Sequence, residues 1–216
     1  MNINCKSILS ISVMVLLITS CNKKIVENSL SSAETKLDLH RESYRQGFLK
    51  DQRSPLKTEG DIANLDFFDY NKEFDCKCSF TKNENAEPFE IPTYSGTSKA
   101  FLKYGTAICT FDKKPFTISV YKNAKAFQNP IYQDHLFLPF KDETNAVSTY
   151  GGGRYIDMNL HDIMNDSINI DFNKCYNPWC AYSDGFNCPI PPKENHLSFE
   201  VLAGEKSYKG EVKKSK

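Results

Sequence analysis

The chain has 216 residues, with 27 Lys and Arg balanced by 27 Asp and Glu, and 40% of its residues are apolar. That length bounds it to one domain, or one domain with an appendage, and the apolar content is enough for a substantial core. A net charge of zero gives no long-range field to steer it onto a polyanion, so nucleic acid is excluded as an expected partner.

Lys6 precedes an apolar run, Ile8–Ile18. The run is shorter than the ~20 residues a membrane-spanning helix needs, and it fits the hydrophobic region of an export signal over residues 1–20. It ends in Ile18-Thr19-Ser20-Cys21, which resembles the lipobox of bacterial lipoproteins. The resemblance implies cleavage before Cys21 and its acylation by diacylglycerol and a fatty acid such as palmitate. Several acyl chains hold a protein stably at a lipid membrane, unlike one. The alternative is an ordinary signal peptide with an incidental Cys. Residues 21–32 are polar and aperiodic, which predicts a flexible tether. No acidic run follows Cys21, which favours a periplasm-facing place in the cell envelope over surface export. Six cysteines then remain: Cys76, Cys78, Cys109, Cys175, Cys180 and Cys188. Six allow fifteen pairings, and an exported compartment permits disulfides.

The domain is expected over residues 33–210. Ser32–Asp51 predicts one N-terminal helix, with Leu37, Tyr44 and Phe48 on one face and Ser54-Pro55 as its stop. Ile62, Leu65, Phe67 and Phe68 form a short apolar patch that anchors this segment to the body. From Phe74 the period changes to two. Phe74, Cys76, Cys78 and Phe80 alternate with polar residues, which predicts a half-buried strand with both thiols in the core as structural residues. Strands are predicted at Ala100–Tyr104 and Ile108–Phe111, then a hairpin turn at Asp112–Pro115 leads into Phe116–Tyr121. Leu136–Phe140, Ile168–Phe172 and Leu197–Val201 complete the set. The fold class is mainly β, an antiparallel sandwich or barrel with one N-terminal helix. Residues 211–216 read as a solvated tail.

Several ordered blocks resemble the DUF1684 family of bacterial and archaeal proteins of unknown function. They are Phe140–Thr144, Thr149–Tyr155, Asp171–Asn173, Tyr176–Pro178, Cys180–Tyr182, Cys188-Pro189, Pro191-Pro192, Glu194-Asn195 and Ala203–Lys206. The resemblance runs from about Ser43 to Lys206. It implies a shared fold and carries over no catalytic residue.

Two segments suggest a binding site. In Asn169–Asn173 the apolar residues take one face, leaving Asn169, Asp171 and Asn173 on the other, to line a pocket or simply a wet face. In Tyr150–Arg154 three glycines allow close backbone approach, and Arg154 then offers a planar fork for a carboxylate or phosphate. The alternative is that Arg154 pairs internally with Asp171 or Asp142. The expected ligand-binding set is Arg154, Asp171, Asn173, Tyr150, Asn177, Asp142 and Glu194, for a small polar or anionic ligand.

The stretch Asp171–Asn195 holds the sole Trp and three Cys. A Cys180–Cys188 disulfide would pin its loop, worth roughly 2–3 kcal/mol in the chain-entropy model. Zinc held by Cys175, Cys180, Cys188 and His196 is the second reading, and the spacings fit no compact finger. A thiol nucleophile assisted by His135 or His196 is the third. No metal and no cofactor is expected. Standard hydrolase motifs are missing. The rival to a binding protein is therefore a hydrolase using Asp171 or Glu194 with His135, and a purely structural envelope protein is the third option.

Overall fold

The computed structural model describes residues 32–125 and 128–214. The expected signal segment, Cys21 and the tether to residue 31 lie outside the described residues, as does the end of the tail. Two units divide the chain, Met1–His40 and Arg41–Lys216. In the first, the described residues 32–40 are helical. In the second, that helix (α1, residues 32–50) continues from Arg41 and the β fold follows.

Phe48 on α1 is buried with Leu56, Ile62, Leu65, Ala181 and Tyr182 in a small cluster of their own. A one-turn helix, α2 (Glu59–Ile62), supplies Ile62 and starts with a reciprocal Thr58–Asp61 capping box. The strands are β1 (Asp75–Lys82), β2 (Pro88–Pro92), β3 (Ser98–Phe111), β4 (Lys114–Asn123), β5 (His135–Phe140), β6 (Arg154–Asn159), β7 (Ile163–Met164) and β8 (Ser167–Asp171). They form one eight-stranded sheet in the order β6-β5-β4-β3-β1-β8-β7, with β2 beside β3. Every pairing is antiparallel. The expected antiparallel, mainly β class is thus observed, but the sheet does not close into a barrel. β6 and β7 end the order unpaired with each other. β7 is two residues long, and Tyr176 occupies part of the outer edge of β6 by exchanging two backbone bonds with Tyr155.

The alternation read in Cys76, Cys78 and Phe80 is present in β1, where all three face inward. Cys78 is not a plain buried thiol, however. The β1–β3 register places it opposite Cys109, and a disulfide joins them at a Cα separation of 4.4 Å. The two short strands read at Ala100–Tyr104 and Ile108–Phe111 are one long strand with a register shift between Lys103 and Gly105. A Cβ at Gly105 would lie 2.2 Å from Phe80 Cζ, so only glycine lets β3 cross that ring. Asp112 and Lys113 both take positive φ, which turns β3 tightly into β4.

The main core fills one face of this sheet. Cys76, Phe80, Ala107, Val120, Leu138, Ile156 and Ile170 come from six different strands and meet in one buried cluster. The opposite face of β3–β6 carries a separate cluster: Ile91, Phe101, Tyr121, Phe137, Tyr155 and Cys188.

Leu197–Val201 was expected as a closing strand and is not one. Its alternation reflects burial of Leu197 and Val201 against the main core, while its backbone meets the segment after β5 through Leu197 N–H to Lys141 O and Glu143 N–H to Phe199 O, and at Val201 and beyond it is served by side chains as well. Arg154 donates to the alternate carbonyls of Val201, Ala203 and Glu205, and Asp142 accepts from Val201 N–H. The expected solvated tail is docked as far as Lys213. That residue bridges to Ser183, exchanges backbone bonds with Tyr182 and Asp184, and its Nζ lies 2.7 Å from Asp61.

Candidate functional site

Arg154, the residue expected to grip a ligand, opens β6 with no accessible side-chain surface, and its carboxylate partner Asp142 is equally enclosed. Nη2 lies 3.1 Å from Asp142 Oδ1, and the guanidinium otherwise serves Thr144 Oγ1 and the three carbonyls named above. Its charge is spent inside the fold, which is the internal pairing rather than a ligand grip. Asp142 Oδ2 takes the Thr144 hydroxyl at 2.6 Å and the backbone N–H groups of Thr144 and Val201.

The remaining nominated residues are structural in the same sense. Asn173 is buried and mimics a strand, accepting Asn71 N–H and donating to Asn71 O. Asp171 caps the turn after β8, accepting from Asn173 N–H, and pairs with Lys174. Asn177 is buried against Glu205 and Lys206. The Tyr150 ring meets Tyr94 edge-on. Exposed Glu194 accepts the Tyr121 hydroxyl at 2.8 Å. The expected set does not converge on one opening.

A different opening does exist. The face of the sheet away from the main core carries Lys99 and Phe101 on β3, Asn123 on β4, His135 and Phe137 on β5, and Tyr155 and Asp157 on β6. Together with Lys125, Asn129, Tyr132, Tyr176 and Pro189 they line a cavity of ≈ 460 Å³. This lies within the usual range for small-ligand sites. Strand alternation explains it: Leu136, Leu138, Ile156 and Met158 face the core, so their neighbours face the cavity. The floor is aromatic, with Phe101 stacked on Phe137 at 5.5 Å and Tyr155 edge-on to Phe137 at 4.8 Å. Tyr155 donates its hydroxyl to Pro189 O, which ties the floor to the Cys180–Cys188 loop.

The polar wall is a connected array. His135 Nε2 lies 2.9 Å from Asp157 Oδ1, and Tyr176 donates to Asp157 Oδ2 at 2.8 Å. Burial first, and then the Asp157 charge, hold the Tyr176 phenol well above its ordinary range, so it stays a donor. Burial likewise raises Tyr155 and lowers Lys99. Lys99 forms no ion pair among the described residues. The acid beside His135 is therefore Asp157, not the expected Asp171 or Glu194. Asp157 was open to a sequence reading through the alternation Tyr155, Asp157 against Ile156, Met158.

Cys180 and Cys188 are bonded to each other, with Cα atoms 6.3 Å apart. Cys175 lies apart from them, its thiol directed at Ala203 O, and His196 contacts Pro191 O. The four residues of the zinc reading therefore do not converge, and no described group of three or more His, Cys, Asp or Glu is placed to hold a metal. The free thiols fit no nucleophile reading: burial pushes both Cys76 and Cys175 up to about 11.

The fold and cavity define a mainly β domain with an aromatic-floored recess on one face of an open antiparallel sheet. The family described as protein of unknown function (DUF1684) matches residues 61–206, and the chain belongs to it. It is similar to an uncharacterized protein of Haloarcula marismortui solved by solution NMR, at 28% identity and a TM-score of 0.64, covering 83% of this chain and 97% of that one. No curated protein matches the sequence.

Proposed function

We propose that this protein is an envelope lipoprotein, held at the membrane by acylated Cys21 and facing the periplasm, whose β domain binds a small anionic ligand with a planar apolar body. The observation that carries the binding reading is the β3–β6 cavity, where an aromatic floor meets the partly buried Lys99, which has no ion-pair partner among the described residues. Lys99 takes the anionic group, in the role first expected of Arg154, and Phe101, Phe137 and Tyr155 take the apolar body. The export signal and lipobox carry the anchor.

Calorimetric titration of the mature chain with Cys21→Ser tests the binding half. 2-Naphthoate is expected to bind more tightly than 2-naphthalenemethanol, and Lys99→Ala to remove that difference, which corresponds to about tenfold for one partly exposed charge contact. Absence of any binding isotherm for naphthoate in that titration would overturn it. Incorporation of labelled palmitate into the full chain, lost in Cys21→Ser, tests the anchor.

A further inference from the structure

We propose that the cavity is a hydrolytic site in which His135 activates water against a carboxylic ester seated on the aromatic floor. The inference rests on the binding reading above and adds a reaction to it. Among the described residues, the only hydrogen-bond partner of the His135 ring is Asp157, through Nε2. With Nε2–H donating to that carboxylate, Nδ1 is left as a bare acceptor, which is the form a general base requires. Asp157 is itself held on its second oxygen by the hydroxyl of the half-buried Tyr176. Asp157 and Tyr176 are positioning residues: they fix the tautomer and the ring without touching substrate.

None of the described residues lining the cavity is Ser, Thr or Cys, so water is taken as the attacking group. Asn123 and His135 each stand two residues from the Tyr121–Phe137 pair that joins β4 to β5, which sets them at the same level of the sheet. Asn123 Oδ1 is occupied by Lys125 N–H, and its Nδ2 makes no hydrogen bond among the described residues. That amide is the donor available to a developing oxyanion. Lys99 stands two strands from His135 and two residues beyond the level of the Phe101–Asn123 pair, roughly 12 Å at the usual spacings, so it suits a carboxylate at the far end of the substrate. The substrate class is a small ester that also carries a free carboxylate.

The step balances without a co-reactant. His135 Nδ1 takes a proton from water as the water oxygen bonds to the ester carbon. The tetrahedral intermediate collapses, the carbon–oxygen bond to the alcohol breaks, and the leaving alkoxide takes the proton back from His135.

The test uses the mature chain with Cys21→Ser and mono-4-nitrophenyl glutarate as probe, with release of nitrophenolate as the readout. The expected result is turnover above that of free imidazole, lowered at least ~100-fold in kcat by His135→Gln. Asp157→Asn is expected to lower kcat and displace the acid limb of its pH profile, which a merely structural role would not do. Lys99→Ala is expected to act on KM. His161→Gln, on a turn outside the cavity, keeps the wild-type rate. Equal turnover in wild type and His135→Gln would overturn the proposal. So would binding of naphthoate without any turnover, an outcome that leaves the binding reading standing. Absence of naphthoate binding would bring down both.

Discussion

Arg154 and Asp142 meet at 3.1 Å with both side chains closed to solvent, and together they stand in for a missing strand. Three alternate carbonyls of the 201–205 segment end on the guanidinium, and Val201 N–H ends on the carboxylate. A buried ion pair is a weak source of net stability in itself, because desolvation opposes its attraction. Its effect here is specificity: it fixes where an extended segment without a ladder must lie.

Removing either partner therefore leaves a buried charge and several buried backbone groups unsatisfied. Arg154→Met and Asp142→Asn are each expected to lower unfolding free energy by roughly 3–5 kcal/mol. Arg154→Lys should not rescue it, because one ammonium cannot span three carbonyls and a carboxylate. Denaturant unfolding measures the effect, and a loss within experimental scatter would refute the role.

Glu205 predicts a pH dependence. Its enclosed carboxylate accepts from the hydroxyls of Tyr44 and Tyr182 and from Asn177 N–H, yet burial outweighs these donors and raises it from 4.5 to about 7. The folded state thus holds a proton that the unfolded chain releases earlier. Stability from this group is fully present below the unfolded value, declines as pH rises between 4.5 and about 7, and is flat above. The total is on the order of 3 kcal/mol. Asp61 runs the other way: burial opposes ionisation, but Lys213 and the amides of Lys57 and Thr58 hold it at about 2. Comparing wild type with Glu205→Gln isolates the Glu205 contribution, and the difference in stability should change through that window and be constant outside it.

The fold was legible wherever alternation and ladder coincide, as in β1, β4 and β8, and in the continuous apolar run of β5. It failed where they separate. Leu197–Val201 alternates because one face is buried, but its backbone meets Lys141 and Glu143 in one bond each and Arg154 and Asp142 at Val201, which no local pattern announces. β2 was hidden by prolines at both ends, and β6 by the glycine turn before it. The site was illegible for a related reason. Polar density marked Asp171–Asn177 and Arg154, and in this protein dense polar residues serve buried backbone. The cavity instead draws one or two residues from each of four strands, and their convergence depends on register.

The cysteines give a prediction that mass spectrometry settles. Two disulfides, Cys78–Cys109 and Cys180–Cys188, leave Cys76 and Cys175 as buried thiols. The mature chain with Cys21→Ser should take up no alkylating reagent while folded and two equivalents in guanidinium. Opening Cys180–Cys188 by a double Ser substitution should lower stability by about 2–3 kcal/mol and weaken ligand binding, because that loop carries Pro189 of the cavity wall. Rapid labelling of either thiol in the folded protein would contradict the arrangement.

Asn195 carries the last prediction. β4 and β5 share one register pair, Tyr121 with Phe137. Beyond it the buried Asn195 side chain fills the gap: its Oδ1 accepts Ser119 N–H, and its Nδ2 donates to Ser119 O and Pro139 O. Pro139 has no N–H to offer a ladder, and the Asn195 amide replaces what a continuous pairing would provide. Asn195→Ala strips three buried backbone groups of a partner at once. Each such group costs about 1–3 kcal/mol when left unmade, and partial relaxation with entering water brings the expected total to roughly 2–4 kcal/mol. The local signature is more telling than the total. In Asn195→Ala the Ser119 amide should lose hydrogen-exchange protection while amides in the β1–β8 pair keep theirs. Retained protection at Ser119 would show that β4 and β5 close directly once the side chain is gone.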